Sequence, residues 1–130
     1  MRTAWKVFGK GYSGRLLSVV ACGMALIRYE RGVKNFAPRW LRKKGYHPLV
    51  FERKKDAVLF ARYVKSRYRG KGIIIEKVEV GKKVPLPLIC SYPDLVNGEI
   101  IPTHFDRWPE GTMMVKWVRP LKSEKKEVKQ

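Results

Sequence analysis

The chain has 130 residues and carries 29 Lys and Arg against 11 Asp and Glu, a formal net charge of +18 with both histidines neutral. At this length one domain is the default, and 45% apolar with 12% aromatic residues is enough to build a core, which excludes wholesale disorder. Charge of one sign at this density repels itself in a compact fold, and a polyanionic partner relieves the repulsion. A membrane-spanning helix needs about 20 apolar residues, and no such run exists. The longest low-charge stretch runs from Leu16 to Ile27 and contains Gly23. The basic start lacks the apolar segment of a signal peptide, because Lys10 and Arg15 interrupt it. Cys22 and Cys90 lie far apart and read as free thiols in a reducing compartment. The expected location is the cytoplasm or the inside of a virion, with no secretion and no membrane contact.

In chain order, Ala4 to Phe8 reads as a short strand, and the three glycines between Gly9 and Gly14 as a turn. Arg15 to Ala21 and Met24 to Glu30 read as two further strands of an antiparallel meander. Lys34 to Tyr46 is a basic connector, followed by a brief strand over His47 to Glu52. Lys54 to Tyr68 is predicted helical: Ala57, Phe60, Ala61, Val64 and Tyr68 form one apolar stripe at helical spacing. Asp56 in its first turn suits the helix dipole, as do Arg67 and Arg69 in the last. Gly70 and Gly72 stop it.

Ile73 to Val80 alternates as a strand, with Ile74, Val78 and Val80 on one face and Lys77 and Glu79 on the other. Gly81 to Lys83 reads as a turn. Val84 to Asp94 holds Pro85, Pro87 and Pro93 and is expected to be extended and irregular. Glu99 to Ile101 is a candidate edge strand, and Pro102 to Gly111 a loop. Thr112 to Arg119 alternates as one strand with apolar residues on both faces. Residues 1–121 form the expected domain and 122–130 a charged tail expected to be disordered.

The charge is uneven. From Arg28 to Lys71 there are 15 basic residues and three acids, Glu30, Glu52 and Asp56. The connector and the helix therefore carry most of the excess. Arg39, Arg42, Lys43, Lys44, Arg53, Lys54 and Lys55 are the dense part, and Arg62, Lys65 and Arg69 lie on the helix face opposite the stripe. This is the pattern of a phosphate-binding surface, where each neutralised phosphate releases condensed counterions. Phe36, Trp40 and Tyr46 interleave with the cations and offer rings for base stacking, with Trp40 at the centre of the run. No zinc-finger, basic-zipper or RNA-recognition motif is present, so sequence-specific readout is not expected.

Candidates for chemistry are few. His104 and Asp106 sit two residues apart, so a strand would point both to one side as a base and its orienter. No nucleophile motif accompanies them, and a loop histidine with a turn aspartate is the plainer reading. His47 precedes Pro48 and is expected to pack at the start of a strand. Cys22, His47, Cys90 and His104 lack the close pairs of a zinc site. The glycines between Gly9 and Gly14 lack the Lys-Ser/Thr of a phosphate loop. Neither catalysis nor a metal or other cofactor is expected.

Several short motifs follow one another in order: Trp5-Lys6-Val7, Gly14 to Ser18, Tyr29-Glu30-Arg31-Gly32, Leu49-Val50-Phe51, Asp56 to Ala61, and Pro109-Glu110-Gly111-Thr112. This series resembles small uncharacterised α+β proteins of phages, archaeal viruses and mobile elements, over most of the chain up to Leu121. The resemblance implies a fold and a viral or mobile-element origin, and it carries no catalytic residues. Where such proteins have Thr or Ser before the helix, this chain has Arg53, which weakens or shifts the cap.

The expected fold is a single α+β domain: a twisted, mostly antiparallel sheet of five or six short strands with one amphipathic helix on one face. The helix stripe is expected to meet Val7, Leu17, Ile27, Phe51, Ile74 and Val115. The expected function is non-enzymatic binding of nucleic acid or another polyanion, without sequence specificity. The alternatives are a structural part of a virion or large ribonucleoprotein with protein neighbours, and a counter-defence factor or small enzyme using the His104/Asp106 loop.

Overall fold

The computed structural model describes residues 2–11, 16–18, 27–65, 72–86, 91–93, 100–102 and 108–122. Its spine is an antiparallel pair, β1 (Thr3–Lys10) with the strand over Gly72–Val80, in register from Thr3↔Glu79 to Lys10↔Gly72. The outer edge of β1 is shared. Gly9 and Lys10 pair with β2 (Leu16–Leu17), which pairs in turn with β3 (Arg28–Tyr29). Trp5 pairs with Phe51 of β4 (Leu49–Phe51). A short helix, α1 (Arg39–Lys43), lies between β3 and β4, and α2 (Lys54–Lys65) follows β4. The remaining strands are β5 (Gly72–Val80), β6 (Lys83–Val84), β7 (Ser91–Pro93), β8 (Ile100–Pro102), β9 (Thr112–Val115) and β10 (Val118–Pro120).

The main sheet closes on itself. β4 pairs with β9, β9 with β6, and β10 with β5. β6 continues β5, and β10 continues β9, so one bent ribbon joins both edges. Its ladder passes from Val80↔Val118 through Gly81 and Trp117 to Lys83↔Val115. At the bend the Gly81 N–H donates to the Trp117 carbonyl at 3.0 Å, and the Lys116 N–H to the Lys82 carbonyl at 2.9 Å. The Trp117 ring lies against Gly81: a Cβ there would sit 2.7 Å from Cδ1 and Cε2 of the indole. Closure into a small barrel satisfies backbone groups that an open edge would leave unpaired.

Alternation along β1 and β5 then sorts the core. Ala4, Phe8, Val78 and Val80 point inward with Leu16, Tyr29, Val50, Val115 and Val118, and Ile27, Ile74 and Met113 pack at the margin. Val7 points outward, to Phe51, Ala57, Trp5, Phe60, Ala61, Ile73 and Ile75. This outer layer is the seat of α2, where the Phe51 and Phe60 rings lie 5.3 Å apart. Burial of Ala57 and Val64, with Phe60 and Ala61 half-buried, bears out the predicted stripe. α2 begins without a Ser or Thr cap. Instead Asp56, buried in its first turn, accepts from Nε of Arg53 at 3.1 Å.

The α+β class with an antiparallel sheet matches expectation, but the detail differs. The described residues hold ten strands and two helices rather than five or six strands and one helix. The run over 112–119 is two strands, because Lys116 and Trp117 carry the ribbon around the barrel. The expected turn at Lys83 is the start of β6, and the proline-rich segment contributes β7, which pairs with β8 as a separate two-stranded sheet. α1 is too short for its periodicity to show. Of the expected helix contacts, Val7 and Phe51 meet α2, whereas Ile27, Ile74 and Val115 belong to the inner core. Ile74 alternates with Ile73 and Ile75, so it must face away from the helix. Tyr68 and the tail over 123–130 lie outside the described residues.

Candidate nucleic-acid interface

The connector is built to turn cations outward. Asn35 anchors it through a bridge to Val118 of β10, with backbone bonds of 2.8 and 3.0 Å. Its side-chain amide accepts from the Glu30 N–H and donates to the carbonyls of Glu30, Val33 and Val118. Ala37 and Leu41 are buried against Ile27, Trp40 and Tyr46. In this five-residue helix Leu41 is buried and Trp40 half-buried, which leaves Arg39, Arg42 and Lys43 to face solvent. Arg39, Arg42, Lys43 and Lys44 are all exposed. Arg42 and Lys43 in the last turn oppose the negative helix end.

The aromatic residues of the connector divide. Trp40 and Tyr46 are half-buried beside Leu41, whereas Phe36 is 47% exposed. Arg42 donates from Nε to the Ala37 carbonyl at 2.9 Å, which sets its guanidinium 5.8 Å from the centre of the Phe36 ring. Lys34 places its ammonium 4.7 Å from the Trp117 ring.

The second group of cations rides on α2. Lys55, Arg62 and Lys65 are exposed, and Lys55 and Arg62 lie opposite the buried Ala57 and Val64. Lys54 is exposed and lies over the Trp5 ring, 5.2 Å from its centre. Arg53 is committed elsewhere, to Asp56 at 3.1 Å and Glu110 at 3.9 Å. The two groups of cations belong to different packing units, α1 to Ile27 and α2 to Trp5, Val7 and Phe51. Arg69, His104 and Asp106 lie outside the described residues.

Four of the six described acids, Asp56, Glu76, Glu79 and Glu110, are held in ion pairs, and Glu30 and Glu52 are exposed. Arg31 takes both carboxylate oxygens of Glu76, at 2.8 and 2.6 Å, and also donates to the Leu121 carbonyl. Arg119 pairs with Glu79 across the β5–β10 ladder. Among the described residues no carboxylate pairs with Arg39, Lys43, Lys44, Lys55, Arg62 or Lys65.

Two titratable groups stand out inside the fold, Lys6, which no sequence motif marked, and His47. Lys6 points into the barrel at 7% exposure. Its ammonium donates to the Leu49 carbonyl at 2.7 Å and lies 5.3 Å from the Tyr29 ring. Burial pushes its pKa down from 10.5 to about 8. Glu76 is its cross-strand neighbour, but Arg31 holds that carboxylate. Burial also raises the Tyr29 phenol, against a hydrogen bond with Ser18 that lowers it. The signal for Lys6 was present in the alternation, since Ala4 and Phe8 share its face. His47 is half-buried, with Nδ1 enclosed and without a hydrogen-bond partner among the described residues. Burial first, then Lys116 and Arg42, hold its pKa below the usual histidine value.

Among the described residues no group of three His, Cys, Asp or Glu is placed to hold a metal ion, and no helix is long and apolar enough to cross a membrane. Comparison with protein-family models, curated proteins and solved structures returns no match.

Proposed function

We propose that this protein is a non-enzymatic binder of nucleic acid without sequence specificity. One observation carries the reading: four of the six described acids, Asp56, Glu76, Glu79 and Glu110, pair with Arg31, Arg53 and Arg119, while the cations of α1 and of outer α2 stay exposed with no carboxylate partner among the described residues. Such cations attract phosphates at long range and gain affinity by releasing counterions, without any contact to base edges. The test replaces Arg39, Lys43 and Lys44 with Gln in one variant and Lys55, Arg62 and Lys65 in another. Arg42 is kept, because it braces the connector. At least one variant should lose affinity for a labelled oligonucleotide and show a flatter salt slope, by about one unit per phosphate contact removed. Unchanged affinity and slope in both would refute the reading.

A second reading is a structural role in a virion or ribonucleoprotein. It rests on the β7–β8 pair, which joins the proline-rich segment to Ile100–Pro102 as a sheet of its own. It predicts that deleting 87–107 leaves oligonucleotide binding intact and abolishes assembly.

A further inference from the structure

We infer that the nucleic acid is single-stranded and that Phe36 is the platform on which one unpaired base stacks, an inference that rests on the function proposed above. Three observations converge on this ring. It is the most exposed of the three aromatic residues in the basic connector, with 47% of its surface open. Trp40 and Tyr46 are half-buried against Ala37 and Leu41 and brace α1 instead.

The backbone that carries the ring is also held in place before any ligand arrives. Asn35, the preceding residue, is fixed to β10 by its backbone and by an amide bond to Val118, and its amide also holds Glu30 and Val33. Ala37, the following residue, is buried. A side chain between two pinned residues loses little further freedom on binding. Its exposure therefore belongs to a rigid segment.

The third observation is the company it keeps. The Arg42 guanidinium lies over one face of the ring, 5.8 Å from its centre, braced by the Ala37 carbonyl. Lys34 lies two residues before Phe36 on the outward side of the segment, and Arg39 three residues after it. An aromatic face flanked by cations matches a base flanked by phosphates. In a duplex both faces of each base are already stacked, so the ring distinguishes strand from duplex. The carboxylates of an acidic protein would meet the same cations without stacking on the ring.

The experiment measures anisotropy of a fluorescein-labelled oligothymidine strand and of a labelled duplex, for wild type, Phe36→Ala and Phe36→Trp. Each is run over a salt series, with thermal melting to confirm the fold. A base stack is worth about 1–3 kcal/mol, so Phe36→Ala should weaken the strand by about 5- to 150-fold. Duplex affinity should change less than twofold, and the salt slope should stay the same, because no charge is removed. Phe36→Trp should bind the strand at least as tightly as wild type. If Phe36→Ala keeps wild-type affinity for the strand, or loses strand and duplex equally, the platform is refuted. Wild type binding neither nucleic acid at low salt would refute the proposed function itself, and the platform with it.

Discussion

Lys6→Met should stabilise the protein near neutral pH. The substitution keeps an unbranched apolar chain and removes an ammonium group from the barrel interior, where it is 7% exposed and has no carboxylate partner among the described residues. Burial lowers its pKa from 10.5 to about 8. That gap corresponds to about 3 kcal/mol, at 1.36 kcal/mol per decade of proton affinity. Loss of the hydrogen bond to Leu49 returns about 1 kcal/mol, so the net gain at pH 7 is about 2 kcal/mol.

The pH dependence has a definite sign. Below pH 8 the lysine is charged in both folded and unfolded chains, and the burial penalty is felt in full. Between pH 8 and 10.5 the folded chain gives up the proton first, so the wild type gains stability as pH rises. The advantage of Lys6→Met should therefore shrink from pH 7 to pH 10. Urea denaturation followed by tryptophan fluorescence, at both pH values, reads this difference, and other titrating groups cancel between the two proteins. A variant less stable than wild type at pH 7, or an advantage that does not change with pH, would refute the reasoning.

Other outcomes follow from the same contacts. Gly111→Ala should cost about 2–4 kcal/mol in urea melts, because the residue has φ +80° and its Cβ would lie 2.7 Å from Cγ of the buried Asp56. Phe60→Ala should cost about 2–3 kcal/mol, the value of a half-buried ring packed on Phe51, and a melting temperature within a degree of wild type would contradict it. Asn35→Asp removes two amide hydrogens that serve three carbonyls and should cost about 2–4 kcal/mol, measured in the same assay. Because the His47 pKa is depressed in the fold, stability should fall as pH drops below 6.5. His47→Gln should flatten that part of the pH–stability curve.

Periodic segments were the legible ones. The α2 stripe shows in the sequence because four of its residues recur at helical spacing, and the face of Ile74, Val78 and Val80 shows because strand alternation is strict. The barrel does not show. Nothing in the apolar pattern over 112–119 marks where β9 passes into β10, since Val115 and Val118 both face the same core. The burial of Lys6 follows from that closure: on an open sheet its face could reach solvent, and inside a barrel it cannot. At the candidate site, residue type was legible and partnership was not. Arg53, Lys54 and Lys55 look alike in sequence, yet only Arg53 is neutralised, by Asp56 three residues on and by Glu110 fifty-seven residues away in the chain. Phe36, Trp40 and Tyr46 likewise differ only once Ala37 and Leu41 pack against Ile27, which draws in Trp40 and Tyr46 and leaves Phe36 out.

The most direct test of the central claim is the salt dependence of wild-type binding to a labelled single strand. If exposed cations hold phosphates, log affinity falls linearly with log salt, at about 0.7 per phosphate neutralised on a single strand. The account predicts a steep line from several contacts. An affinity that does not move with salt, or no binding at the lowest salt, would contradict it.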